Sequence, residues 1–172
     1  MKGVFDSDAT NVMECENCGL QFLDPIMSIE EEEDYYDGYY NKQKKRNFKP
    51  MNLADVQLQT YMHYEQYQNI YLKLLNNSKS ILEIGSGNGG FLKFIIDNFP
   101  DKRIIALERC DNNTKFIREC FKQKVQTIKN LKEIANETFD CICAFGVFEH
   151  IRDSKSFLTQ LAKHLQKNGN LA

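Results

Sequence analysis

Residues 81–90 read ILEIGSGNGG, an apolar run interrupted by one glutamate and closed by four glycines in six positions. Such a run predicts a short buried strand, and glycines directly after it let the backbone turn sharply and come close to a ligand. The helical spacing that follows in GGFLKFIIDNF places free N–H groups at a helix N-terminus, where polar or anionic ligand atoms are received. Strand, glycine turn and helix in succession commit this part of the chain to an α/β arrangement.

The same alternation continues downstream. RIIALE (103–108) predicts a second strand, NNTKFIRECFKQK a second helix, VQTI a weaker third strand and FDCICAFG a fourth, while Pro100 stops the first helix. KSFLTQLAKHLQKNG predicts a final helix with Gly169 as its C-terminal cap. Upstream, apolar and aromatic residues at helical spacing, among them Leu53, Val56, Tyr64, Tyr67, Ile70, Tyr71 and Leu74, predict one helix reaching about Leu75. Apolar strands alternating with helices predict a Rossmann-like, doubly wound parallel sheet with helices on both faces. Residues 1–50 lack a long core period and carry an acidic run, a tyrosine cluster and a basic run; residues 51–172 form the α/β domain.

The glycines alone leave the ligand open. Gly85, Gly87 and Gly90 satisfy G-x-G-x-x-G, the dinucleotide pattern, whereas Gly85, Gly87 and Gly89 satisfy G-x-G-x-G. Glu83 favours the second pattern. A carboxylate at the end of a buried strand is costly unless a cation or donor meets it, and a pyrophosphate would repel it. S-adenosylmethionine, with a sulfonium, an ammonium and no phosphate, suits that position. Glu108 ends the second strand, where a carboxylate can accept both hydroxyls of a ribose, a feature that nicotinamide enzymes share.

These stretches, ILEIGSGNGGFL, IIALERCD and FDCICAFGVFEHIRDSKSFLTQLAKHLQKNGNL, together resemble the class I S-adenosylmethionine-dependent methyltransferases over roughly residues 65 to 172. The resemblance implies that Glu83, Gly85, Ser86, Gly87 and Gly89 line the methionine half of the cofactor and that Glu108 holds the ribose. It implies an adenine contact near Asn130, where IKN departs from the family's common acidic residue. Ala144, Phe145 and Gly146 would close over the cofactor, and Glu149 and His150 form the candidate chemical pair. Methyl transfer from a sulfonium needs in-line positioning, with a base where the acceptor must lose a proton, and a histidine titrating near neutrality can serve. The family's sheet continues beyond GNLA, so the resemblance also implies a chain truncated at both ends, a sheet incomplete at its C-terminal strands, and CICAFG as an apolar edge.

The segment from Cys15 to Tyr40 resembles the N-terminal module of a subgroup that includes sugar C-methyltransferases, which points to a small-molecule acceptor such as a nucleotide-linked sugar. One C-x-x-C supplies two ligands where a structural zinc takes four, and the subgroup's earlier cysteine pair is missing. Cys15 and Cys18 are therefore expected as free thiols in a turn, with no metal assigned. Tyr35, Tyr36, Tyr39 and Tyr40 are candidates for a lid over substrate. Cys110, Cys120, Cys141 and Cys143 are expected as buried reduced thiols.

Charge and hydropathy narrow the partners. Lys and Arg total 22 against 24 Asp and Glu, a formal charge of −2, so no overall field favours nucleic acid. No apolar run reaches the ~20 residues of a membrane helix, and MKGVFDSDATN lacks a secretory core, which predicts a cytoplasmic protein. Two rival readings are a non-catalytic methyltransferase-like binding module and a nicotinamide-dependent oxidoreductase using Gly90.

Overall fold

A computed structural model describes residues 2–5, 11–25, 28, 30 and 52–172. The chain divides into two units, Met1–Pro50 and Met51–Ala172. In the first, β1 (Lys2–Phe5), β2 (Asn11–Glu14) and β3 (Gln21–Asp24) form an antiparallel three-stranded sheet. Sequence patterning had marked only turns here, because four-residue strands are too short to establish a period. The β2–β3 turn carries Cys15 and Cys18, with the Gly19 N–H donating to the Cys15 carbonyl at 2.8 Å. The four tyrosines of the lid expectation lie outside the described residues.

The second unit opens with α1 (Leu53–Gln66) and α2 (Gln68–Leu75). The single predicted helix is broken at Tyr67, whose φ of −109° and ψ of 23° leave the helical region. Then follow β4 (Ser80–Ile84), α3 (Gly90–Asn98), β5 (Arg103–Leu107), α4 (Asp111–Phe121), β6 (Val125–Ile128), β7 (Phe139–Cys143), α5 (Ser154–Lys163) and β8 (Leu165–Leu171). The five strands β4 to β8 form one parallel sheet in the order β6-β5-β4-β7-β8.

Alternation along the strands sorts the core into two layers. Ile81, Ile104, Ala106, Val125, Cys141 and Cys143 face one cluster with Leu75, Phe91, Phe94 and Ile117 from the helices α2, α3 and α4. Leu82, Ile84, Ile105, Ile128, Ile142 and Ala144 face the other, with Ile134 and with Leu161 of α5. The sheet is thus covered on both faces, as the continuous apolar strands require. All five residues of β4 are buried, consistent with its place at the centre.

Two expectations about the C-terminus are corrected. The final helix ends at Lys163 instead of running to residue 169, and residues 165–171 turn back as a strand. His164 makes the break: its backbone carbonyl accepts the Phe139 N–H at 2.8 Å and its ring Nδ1 lies 2.9 Å from the Glu137 carbonyl. Helix propensity loses here because the far edge of β7 presents backbone groups that need partners. Ala144 N–H donates to Ala172 O at 2.7 Å and Ala172 N–H to Ile142 O at 3.0 Å. β7 is therefore an inner strand and not the predicted apolar edge. Gly169 lies in this strand, where a Cβ would come within 3.0 Å of the Asp140 carbonyl, and is not a helix cap.

The cysteine expectation holds in part. Cys141 and Cys143 are buried with sulfurs 3.6 Å apart, but Cys110 is partly exposed and Cys120 exposed.

Candidate functional site

The strand order reverses between β4 and β7: connections from β4 run to β5 and β6 on one side, then cross to β7 and β8 on the other. In such sheets the crevice at the C-terminal ends of the strands flanking the reversal is where ligands bind. Glu83 and the glycine turn end β4, and Ala144, Phe145 and Gly146 follow β7.

The turn hangs on β5. Gly85 N–H and Ser86 N–H both donate to Leu107 O, at 2.8 and 3.3 Å. Gly85, Gly87 and Gly89 have φ of +69°, +52° and +76°, the left-handed region that glycine adopts without strain. Gly85 is demanded twice over, because a Cβ there would fall 2.6 Å from Val147 Cγ2. That contact brings the segment after β7 directly against the glycine turn.

Glu83 is 5% exposed and its Oε2 is buried with no hydrogen-bond partner. Burial pushes its carboxyl up to about 8, against a downward pull from the Ser86 hydroxyl and with the Glu108 charge adding to the rise. Ser86 is buried too, its hydroxyl 3.5 Å from the Glu83 carbonyl. A buried acceptor without a donor beside a glycine turn fits a ligand that brings a positive donor.

Glu108 is 8% exposed and already engaged: Gly87 N–H donates to Oε2 at 2.6 Å and Cys110 N–H to Oε1 at 2.7 Å. It ties the glycine turn to the start of α4. Burial pushes its carboxyl up, while the Cys110, Gly87 and Arg109 amides pull it down. A carboxylate offers about four lone-pair sites, so acceptor capacity remains for further donors.

Asn130 follows β6 and caps a short turn of 3₁₀ helix: its Oδ1 accepts from Lys132 N–H at 3.1 Å and its Nδ2 donates to Glu133 Oε1 at 3.0 Å. The side chain is spent on this box, a reason independent of ligand for asparagine at that position. Phe145 turns its ring into an aromatic cluster, 5.0 Å from Phe91, 5.4 Å from Tyr71 and 6.1 Å from Tyr64 between centroids. The ring is thus shared with this cluster and stays partly exposed. Glu149 and His150 are exposed on a 3₁₀ turn, Phe148–His150, where His150 N–H donates to Val147 O at 2.9 Å. This turn follows Val147, whose side chain is the one set against Gly85.

Sequence reading missed the contribution of α1. Gln57 Nε2 donates to Asn88 O at 2.9 Å, Asn88 Nδ2 donates to Thr60 Oγ1 at 3.2 Å, and Gly90 N–H donates to Asn88 Oδ1 at 3.0 Å. A Cβ on Gly90 would fall 2.5 Å from Thr60 Cβ, so glycine lets α1 pack on the first turn of α3. Gln57 and Thr60 sit on the same helical stripe as Tyr64, and polar residues on that stripe were the available signal. Among the described residues no group of three His, Cys, Asp or Glu is arranged to hold a metal ion. No described helix is long and apolar enough to cross a membrane.

A protein-family profile described as a methyltransferase domain matches residues 58–172. Malonyl-[acyl-carrier protein] O-methyltransferase of Acetivibrio thermocellus is 25% identical over 124 residues, covering 64% of this chain and 44% of that protein. This chain thus spans less than half the length of that relative. Among solved structures, coclaurine N-methyltransferase bound to N-methylheliamine and SAH aligns with a TM-score of 0.55 at 19% identity, covering 62% of this chain and 34% of its own. The plantazolicin methyltransferase BpumL, in complex with a monoazolic desmethylPZN analog and SAH, aligns with a TM-score of 0.56 at 16% identity, covering 78% and 52%. At these identities the two structures speak for the fold.

Proposed function

Since the chain belongs to the methyltransferase-domain family across residues 58–172, we propose that its glycine turn binds S-adenosylmethionine and that the protein directs methyl transfer to a small-molecule acceptor. The observation that carries this reading is the buried Glu83 Oε2, which lacks a hydrogen-bond partner near the end of β4, two residues before the first glycine of the turn. The S-adenosylhomocysteine (SAH) bound in structures of similar fold supports the same ligand class. A pyrophosphate at this turn would lie against the Glu83 carboxyl, which argues against a nicotinamide cofactor; Glu108 suits either ligand.

In this reading Glu83 receives the ammonium, the backbone of residues 85–89 follows the methionine moiety, and Glu108 accepts the ribose hydroxyls while keeping the turn attached to α4. The cofactor supplies an electrophilic methyl group on sulfur. The protein's share is to hold an acceptor in line with it and exclude water. Glu149 and His150, exposed on the turn that follows Val147, are the candidates to take a proton from the acceptor. The adenine would lie toward the C-terminal end of β6, where Asn130 stands. A nucleotide-linked sugar is the acceptor class favoured by the likeness of the Cys15–Tyr40 segment to sugar C-methyltransferases.

Isothermal titration with SAH tests the cofactor directly. Binding at micromolar to sub-millimolar affinity is expected, and no heat at millimolar ligand with folded protein overturns the reading. A screen of small molecules with labelled methyl donor, nucleotide sugars included, then identifies the acceptor. Tight SAH binding with no methyl transfer to any of them would favour a binding module over an enzyme.

A further inference from the structure

Glu83 Oε2 is the only buried side-chain nitrogen or oxygen without a hydrogen-bond partner among the described residues. The groups around it do not help an ionised carboxylate. In the sheet Glu83 lies beside Cys143 of β7 and Ala106 of β5. Cys143 is a buried thiol whose own ionisation is pushed well up, first by the Cys141 thiol beside it and then by burial. From α1 comes the Tyr64 phenol, held un-ionised by burial and by the Glu83 charge, and from α2 comes Tyr71 facing Cys143. Beyond Ala106, after the end of β5, stands Glu108, a second carboxylate whose charge adds to the rise. Only the Ser86 hydroxyl favours the charged form, and no described cation faces the group. An acid so enclosed keeps its proton unless a positive donor arrives.

We propose that the empty site holds Glu83 as the neutral acid and that a ligand's ammonium group displaces that proton, so that binding the methionine end of the cofactor releases one proton to solvent. The inference rests on the cofactor reading above. On binding, the carboxyl O–H bond breaks, the proton passes to buffer, and the carboxylate is left facing the ligand's N⁺–H donors with no redox change.

The sign follows from burial, which lifts the free group to about 8. Below that value the empty protein carries the extra proton, so affinity should rise with pH, up to about tenfold per unit, and level off near 8. The stability of the empty protein runs the other way. Because the folded group titrates above its unfolded value, its contribution is full below about 4.5 and is lost as pH rises through about 8.

Calorimetric titration of the intact chain with SAH at about pH 7, in two buffers of different ionisation enthalpy, reads the proton count. The wild-type protein should release about one proton more than Glu83→Gln, and the difference should vanish near pH 9. At about pH 7 the free ligand's amine is already largely ammonium in both titrations, so the difference between the two proteins there reads the Glu83 proton. SAH binding without this difference overturns the inference and leaves the cofactor reading standing; absence of SAH binding overturns both. If Glu83→Gln fails to fold or bind, difference infrared spectroscopy of the wild-type protein decides. Loss of a protonated-carboxyl band on adding SAH supports the proposal, and an unchanged band overturns it.

Discussion

At the scale of single residues, Glu108 does two jobs that a sequence cannot separate. As a strand-end carboxylate it reads as a ribose ligand that could be cut back at little cost to the empty protein. The structure buries it to 8% exposure and sets it between the Gly87 and Cys110 amides, so the side chain also holds the turn in shape. Glu108→Ala would strand two N–H groups, each costing about 1 to 3 kcal/mol when buried and unpaired. The empty variant should melt several degrees below the parent, with roughly 2 to 4 kcal/mol lost. In the proposed ribose role it should also weaken SAH by about 30- to 1000-fold. Glu108→Gln, which keeps one acceptor oxygen, should recover part of the melting temperature and little of the affinity. A Glu108→Ala protein binding SAH within about threefold of the parent would remove Glu108 from the site.

Among elements, the site depends on one helix outside the βαβ unit that carries its motif. α1 reaches the glycine turn through Gln57 and Thr60 and packs on α3 at a point with no space for a methyl group. Gly90→Ala would bring a Cβ to 2.5 Å from Thr60 Cβ and 3.1 Å from the Tyr61 backbone nitrogen, so α1 must move. Overpacking of this kind costs about 1 to 3 kcal/mol. Because α1 also supplies the donor to Asn88 O, SAH affinity should fall together with melting temperature. The check is calorimetric affinity measured well below the transition. A destabilised Gly90→Ala that binds SAH as tightly as the parent would show that α1 does not set the turn. By contrast, Gly85 answers to the opposite wall, where Val147 fills the space a side chain would need.

Over the whole second unit, the sheet is stabilised from its centre outward. β4 pairs with both β5 and β7 and all five of its residues are buried, whereas β6 and β8 form the edges. Exposed Gln126 on β6 and Gln166, Lys167 and Asn168 on β8 mark where water reaches the ladder. Native-state hydrogen exchange followed by mass spectrometry should find β4 amides slowest, β5 and β7 next, and the edges fastest. Gln166–Asn168 amides exchanging as slowly as those of β4 would contradict edge-first opening.

The apolar period of strands and helices, with glycines directly behind the first strand, was enough in sequence to establish a doubly wound parallel sheet, the place of its glycine turn, and Glu83 and Glu108 as carboxylates at strand ends beside it. Those are local consequences of spacing: a strand's period of two, a helix's of 3.6, and the left-handed φ that glycine permits. What no local pattern contained was decided by long-range pairing. Residues 165–171 carry a pattern that continues a helix, yet they become β8 because the outer edge of β7 offers unpaired backbone groups that only a strand can satisfy. That Phe145 packs its ring against Tyr64, Tyr71 and Phe91 is likewise a contact that spacing along the chain does not show. Asn130, by contrast, caps a 3₁₀ turn together with Glu133 three residues on, a local pairing that was legible in the sequence. Gln57 and Thr60 belong to the site only because Gly90 lets α1 lie against it. Side-chain contacts between residues thirty or more positions apart depend on which surfaces meet, and that is settled by the packing of whole elements on the sheet.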